Sequence, residues 1–360
     1  MTELKIESIN VKSVNVPMAR PLVTGGGSVT SAPLVLINME AGGIEGSSYI
    51  FCYSPAALSA MSELVQHIAE SLKSQAALPN EVFYALRKRF RLLGNQGLVA
   101  MACAGIDMAL WDIAAKNAGL PLCRLLGAES KSLPAYNSNG LGIIGPAAAS
   151  NEARELLHSG FGAIKLRLGY PSASEDLAVV KAVHESVGND ILLMIDYNQC
   201  LSVTDAKQRM RLLDDTGIYW LEEPTLAEDY SGHHQIRQHC KTAVQIGENC
   251  WGPGDMKRAL DAGACDYFMA DVAKIGGVSG WLQAATLGEN YGIRLSSHLY
   301  PEISAHLLSA TPTAHWLEYV DWAEPILDSS VPPGNGMATP SEIPGNGIVF
   351  NSKAIKKYTV

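Results

Sequence analysis

Leu193–Met194–Ile195–Asp196, Tyr219–Trp220–Leu221–Glu222 and Val244–Gln245–Ile246–Gly247–Glu248 are three short apolar runs that each end on a carboxylate. The pattern continues outward on both sides. Ala163–Ile164–Lys165–Leu166–Arg167 precedes them. Tyr267–Phe268–Met269–Ala270–Asp271, Ile293–Arg294–Leu295–Ser296–Ser297–His298 and His315–Trp316–Leu317–Glu318 follow. A spacing of roughly 25 residues holds one strand, one helix and two loops, the βα unit of a parallel sheet. Ionisable residues at the C-terminal ends of successive buried strands converge on one rim, where a (β/α)₈ barrel carries its chemistry. A further strand at Ser132–Leu133–Pro134–Ala135–Tyr136 brings the count to the eight that closure requires.

The segment before the barrel lacks βα alternation. Residues 5–17 and 33–50 read as strands, with a hairpin turn at Ala41–Gly42–Gly43. Residues 54–74 and 80–117 have helical period, the second stopping at Gly119 before Pro121. Met101, Gly105, Met108, Ala109 and Trp111–Asp112 on that helix read as packing. The expected organisation is an α+β domain over 1–125, a barrel over 126–322, and a Pro/Gly-rich segment over 323–360, with Pro332–Pro333–Gly334, packing back on the first domain. Thr24–Gly25–Gly26–Gly27–Ser28–Val29 reads as a mobile lid near 20–30, with a plain hairpin loop as the alternative.

Composition bounds the partners. The chain has 360 residues, 47% hydrophobic and 18% charged, with a net charge of −9. This suits a large folded enzyme and argues against nucleic acid or an anionic membrane as partner. No apolar stretch is read as membrane-spanning, and Met1–Thr2–Glu3–Leu4–Lys5–Ile6–Glu7 lacks signal-peptide form. Seven scattered cysteines without paired spacing suggest reduced thiols, so the cytoplasm is the expected compartment. Gly140–Leu141–Gly142–Ile143–Ile144–Gly145 matches a dinucleotide-binding G-x-G-x-x-G. The position where that motif needs an acid holds Lys165, so it is set aside.

The rim residues divide by chemistry. Asp196, Glu222 and Glu248 end three consecutive strands, and three converging carboxylates repel unless a cation compensates them. An all-oxygen set suits one Mg²⁺; salt bridges to lysines are the alternative. Asp271 and His298 end the next two strands, the arrangement of a general base whose tautomer a carboxylate fixes. The other eight histidines, His233–His234 and His239 among them, are expected to be solvated. Lys165 and Arg167 face the interior from one strand, where a cation holds a substrate carboxylate or, as a lysine of depressed pKa, exchanges protons. Glu318 is read as a protonated donor to a developing enediolate, with an ionised bridge to a lysine as the alternative.

Lys165-x-Arg167, Asp196–Tyr197–Asn198, Glu222–Glu223–Pro224, Gly247–Glu248–Asn249, Asp271 with Lys274–Ile275–Gly276–Gly277, His298 and Glu318 together resemble the enolase superfamily, and within it the mandelate racemase subgroup. Val14–Asn15–Val16–Pro17 and the run from Ile303 to Glu318 extend the likeness over nearly the whole chain. The resemblance implies a modified (β/α)₇β TIM barrel under an α+β capping domain, a homo-oligomer, and Mg²⁺-assisted removal of the proton α to a carboxylate. It makes Asp196, Glu222 and Glu248 the metal ligands, His298 with Asp271 a base, and Glu318 the electrophilic acid. Lys165 would neutralise the substrate carboxylate, while Ser138, Asn198 and Lys274 would make polar substrate contacts. Leu22, Val29, Phe51, Tyr53, Leu299 and Val320 would line the pocket.

One position departs from the family. Mandelate racemase has Lys-x-Lys, whose second lysine is the base opposite the histidine; here it is Arg167. Arginine stays protonated, which makes two-base racemisation harder. The mostly apolar pocket favours a mandelate-like 2-hydroxy acid and a racemase or epimerase. Arg167 favours a dehydratase that uses His298 as its single base on an acid sugar. A silent barrel binding a carboxylate or metal is the remote third reading.

Overall fold

The computed structural model describes residues 4–328 and 333–360. Met1–Thr2–Glu3 and Pro332, on which parts of the sequence reading fall, lie outside them. The chain opens with three antiparallel strands in the order β1 (Ile6–Thr24), β2 (Gly27–Ala41) and β3 (Ile44–Phe51). The β2–β3 turn takes left-handed φ at Gly42 and Gly43, 60° and 74°, as a two-residue hairpin turn requires.

Both ribbon strands run further than their alternation predicts. Leu22 pairs with Val29 and Thr24 with Gly27, so the glycine segment is the tip of a paired hairpin and no free loop separates the strands. Thr24 Oγ1 accepts from Gly26 N–H and donates to Gly27 O, both at 3.1 Å. Ile143 N–H then ties Val23 O to the barrel at 2.7 Å. One glycine of the discarded dinucleotide motif finds its purpose here: a Cβ on Gly142 would meet Val23 O at 2.6 Å.

Helices α1 (Leu58–Leu72) and α3 (Gly97–Ala118) cover the sheet, α2 (Pro79–Arg89) packs on α3, and a short α4 (Leu122–Leu125) follows. The single helix expected over 80–117 is two, because left-handed backbone at Gly94 and Gly97 breaks it. By length and composition α3 could cross a membrane, contrary to the sequence reading, and it is mostly buried within the fold. A helix apolar all round is a core helix when other elements cover every face. Its two buried acids are both satisfied within the protein. Asp112 accepts from Ser47 N–H and Asn346 N–H and pairs with Lys116 at 2.7 Å. Asp107 accepts from Ser279 N–H and Oγ–H, which fastens α3 to the barrel.

The barrel alternates β4 (Leu133–Asn137), α5 (Pro146–Leu156), β5 (Ala163–Arg167), α6 (Ala173–Val187), β6 (Leu192–Asp196), α7 (Val203–Leu213) and β7 (Ile218–Glu222). It continues with α8 (Tyr230–Arg237), β8 (Ala243–Ile246), α9 (Pro253–Asp261), β9 (Tyr267–Asp271), the short α10 (Val272–Ile275) and α11 (Gly277–Tyr291). Then come β10 (Arg294–His298), α12 (Pro301–Ser309) and β11 (Leu317–Tyr319). The eight strands are parallel neighbours in sequence order, with β11 beside β4. Ser297 N–H to Trp316 O at 3.0 Å closes the ring between β10 and β11. Among the described residues no α-helix, only a 3₁₀ turn at Glu324–Ile326, follows β11 before β12, so the architecture is (β/α)₇β.

The C-terminal segment returns through β12 (Met337–Ala338), which pairs with β4, and α13 (Ser352–Tyr358), beside which Thr359 bridges to Val14 of β1. The hydrophobic core is continuous from the cap into the barrel. A separate cluster of Tyr136, Ala163, Met194, Trp220 and Met269 fills the barrel interior.

Candidate active site

Strand register sets the site. Arg167 pairs with Asp196, Asp196 with Glu222, and His298 with Asp271, so the charged ends stand level on one rim. Backbone strain gathers at the same level. Left-handed φ occurs at Leu141, Asn198, Gln199, Glu223, Leu299 and Tyr300, each just beyond a barrel strand, and at Tyr53 of the cap. Such conformations cost about 1–3 kcal/mol each and persist where the surroundings over-determine them. Beneath the cap the rim lines a cavity of about 580 Å³.

The acids of Asp196, Glu222 and Glu248 are buried, each offering an oxygen within 4.8 Å of the others. Lys165 Nζ lies 2.7 Å from Glu222, 2.8 Å from Glu318 and 3.4 Å from Asp196. Burial works against its charge, but those three carboxylates raise the ammonium above the ordinary lysine value. In this arrangement it is a cation paired to three carboxylates, a direction opposite to that of the depressed lysine. Burial pushes Glu222 and Asp196 upward against the pull of Lys165. Glu222 also accepts from Trp220 Nε1–H at 2.9 Å, and Asp196 from Asn198 N–H and Nδ2–H at 2.7 and 2.9 Å.

His298 Nδ1 rests on Asp271 Oδ2 at 2.8 Å, and Nε2 faces Glu248 at 3.3 Å and Glu318 at 3.8 Å. Burial alone would lower the imidazole; Glu248, Glu318 and Asp271 outweigh it and raise it to about 9. Burial likewise opposes ionisation of Glu318, yet Lys165 and His298 hold it well below the usual carboxylate range. Glu318 accepts from Leu299 N–H at 2.8 Å, so it stands as an ionised bridge and not as the protonated donor preferred from sequence.

Arg167 is buried without a carboxylate partner among the described residues. Nη1 donates to Ser138 O at 2.7 Å, Gly140 O at 2.9 Å and Lys165 O at 3.3 Å, and Nη2 donates to Ser138 Oγ at 2.7 Å. Ser138 is thus taken up by Arg167 and does not line the cavity, contrary to the sequence assignment. Val320 also sits outside the cavity wall, behind Phe51 and Leu299 in a smaller pocket. Leu22, Val29, Phe51, Tyr53, Leu299, Asn198 and Lys274 do line the cavity.

Several neighbours escaped the sequence reading. Met101, taken as packing, lines the cavity, as do Trp251 and Trp322. Lys274 Nζ donates to Asn249 Oδ1 at 2.6 Å, and Asn249 Nδ2 donates to Glu223 at 2.8 Å. The Glu223 and Asn249 signals were present in the quoted motifs, directly after two metal-candidate acids. His233, His306 and His315 are buried and not solvated, and burial lowers each imidazole to about 4.

The donor set fits a hard divalent ion. Around Glu222 the carboxylates of Asp196, Glu222, Glu223, Glu248, Asp271 and Glu318 outnumber the permanent cations Lys165, Arg167 and Lys274. A doubly charged ion on the acidic triad offsets the excess.

A capped (β/α)₇β barrel with an acidic triad and an imidazole–carboxylate dyad on one rim defines a class of metal-assisted barrel enzymes. Residues 6–127 match the family described as mandelate racemase / muconate lactonizing enzyme, N-terminal domain, and residues 148–354 match the enolase C-terminal domain-like family. The chain belongs to the enolase superfamily, in its mandelate racemase subgroup. Among solved structures, an enolase from Bradyrhizobium complexed with magnesium and mandelic acid is 39% identical, with a TM-score of 0.96 over 100% of this chain and 99% of that one. An L-talarate/galactarate dehydratase of Salmonella typhimurium is 32% identical over 73% of this chain and 66% of its own length. A D-galactarolactone cycloisomerase of Agrobacterium fabrum is 31% identical over 85% and 86%. The protein is an isomerase or hydro-lyase of this superfamily, and its cofactor is one Mg²⁺ ion.

Proposed function

We propose that the enzyme removes, through His298, the proton α to the carboxylate of a 2-hydroxy acid while Arg167, which also lines the cavity, delivers a proton to the opposite face, each regaining its starting protonation by exchange with solvent, so that configuration changes as in a mandelate racemase-like racemase or epimerase. The observation that carries this reading is the His298–Asp271 dyad, whose Nδ1 is fixed at 2.8 Å while Nε2 is turned toward Glu248 and Glu318. Asp196, Glu222 and Glu248 would hold Mg²⁺. Once bound, the ion offsets the negative charge that gathers on the substrate carboxylate as the α-proton leaves. Lys165 adds a fixed positive charge on the other side, and Glu318 keeps it in place. Leu22, Val29, Phe51, Tyr53 and Leu299 pack the substrate's apolar side, and Asn198 and Lys274 offer it polar contacts. The likeness to the Bradyrhizobium enolase with bound mandelic acid supports the substrate class.

Dehydration is the second reading, and the carbonyl cage around Arg167 favours it. Three backbone oxygens demand N–H donors from Nη1, so a guanidine that had lost a proton there would set a lone pair against them. Such a group cannot easily take a proton from carbon. His298 would then act alone, and a β-hydroxyl would leave from an acid sugar. We place the enzyme in the cytoplasm, a reading supported by seven unpaired cysteines, and take it to be a homo-oligomer on family grounds.

The test is a screen of enantiopure 2-hydroxy acids and acid sugars with Mg²⁺. Loss of optical rotation supports the racemase, and a new 2-keto acid supports the dehydratase. Turnover of neither class overturns the proposal. Light scattering reads the oligomeric state, and a monomer would contradict that part.

A further inference from the structure

Tyr53 belongs to the cap, two residues beyond β3, yet its hydroxyl sits inside the barrel's catalytic dyad. Its backbone takes φ 59°, a left-handed conformation that costs an L-residue energy and is kept where something else requires it. Oη donates to Asp271 Oδ2 at 3.2 Å, the same oxygen that holds His298 Nδ1 at 2.8 Å. Asp271 Oδ1 is occupied separately, by the N–H groups of Ala273 at 2.8 Å and Lys274 at 3.0 Å. Three of the four donors come from the barrel; the fourth comes from the cap.

The Tyr53 ring has its own duties. Lys274 Nζ lies 4.2 Å from its centroid, and Phe51 packs against it at 4.7 Å. Tyr53 also lines the cavity. The side chain therefore joins the base's partner, a cavity cation and the substrate space.

We infer that Tyr53 is a positioning residue through which the capping domain fixes Asp271, and through it the orientation of His298. The inference rests on the reading of His298 as the base. A carboxylate turns about its last bond, and the two N–H groups on Oδ1 resist that turn from the barrel side alone. A hydroxyl on Oδ2 from outside the barrel restricts that rotation further, so the aim of the imidazole is held more tightly while the cap is seated. Outer partners of this kind typically alter activity tenfold or more when removed.

Tyr53→Phe deletes the hydroxyl and keeps the ring under Lys274 and against the cavity. With Mg²⁺ and a 2-hydroxy acid that the wild type turns over, kcat is expected to fall roughly tenfold while KM stays within about twofold. The downfield proton NMR signal of His298 Nδ1–H, assigned by its loss in His298→Asn, is expected to shift or broaden. An unchanged kcat together with an unchanged signal overturns the inference. Should the wild type turn over no 2-hydroxy acid, the proposed function fails, and the NMR signal alone decides on Tyr53: unmoved in Tyr53→Phe, it overturns the positioning role.

Discussion

His298 and His315 are equally buried, 7% and 8% exposed, and sit at opposite ends of the same barrel. At the C-terminal rim, three carboxylates surround His298 and raise its imidazole to about 9 against the effect of burial. At the other end, His315 meets Tyr219 Oη at 2.8 Å and Ser296 Oγ at 3.4 Å, with the Tyr267 ring at 4.6 Å. Burial, with Arg294 adding to it, lowers that imidazole to about 4. Burial pushes both histidines toward neutrality, and the carboxylates at the strand ends reverse the outcome at one of them. The barrel thus separates an electrostatic rim, where chemistry is expected, from a neutral aromatic floor that serves stability.

The largest test of that contrast is His298→Asn. Loss of a positioned base costs about 10²–10⁴-fold, so α-proton exchange should fall by roughly 10³-fold while the fold persists by circular dichroism. Exchange within tenfold of wild type would mean that the rim histidine is not the base. Next in size is the acidic triad. Mg²⁺ at about 100 times its Kd should stabilise the wild type by roughly 2.7 kcal/mol, read as a higher Tm, and Glu222→Gln should lose most of that rise. An equal rise in the variant would count against the triad as the metal site.

The floor should answer to pH in its own way. His315 has a folded value of about 4 against an ordinary 6.5, so its contribution is present above pH 6.5 and lost as pH falls toward 4. At pH 5 the loss is about 2 kcal/mol. Urea unfolding of His315→Phe should show lower stability at pH 8, because Tyr219 loses a partner, and a flatter slope between pH 8 and 5. A slope as steep as wild type would show that His315 is not charged on unfolding there. The smallest effect is expected from Arg167→Lys, which restores the family's second lysine. Racemisation should rise by up to about tenfold, in line with restoring one acid–base group in an imperfect cage. If it does not rise, the two-base argument loses its force.

Much of the rim was legible because a strand end is a local fact: a period near 25 and an ionisable residue at each ending place Asp196, Glu222, Glu248, Asp271, His298 and Glu318 on one level. What their neighbours do to them was not. The ionised state of Glu318 depends on Lys165 reaching across from another strand, and Ser138 is claimed by Arg167 only when two loops meet. The hydroxyl of Tyr53 acts across the cap–barrel boundary, where sequence separation exceeds 200 residues. In the fold, the eight strands were readable from periodicity. The break between α2 and α3 was hidden in a helical period that Gly94 and Gly97 interrupt, and the paired hairpin tip was hidden because its glycines resemble a free loop. His233 and His306 misled for the same reason, since a histidine on a helix does not announce which face is covered.

Deuterium exchange tests the central claim most directly. The Mg²⁺-loaded enzyme, incubated in D₂O with a mandelate-like 2-hydroxy acid and followed by proton NMR, should replace the α-proton with deuterium, and His298→Asn should not. Retention of the α-proton across mandelate-like acids and acid sugars alike, with Mg²⁺ bound, would contradict it.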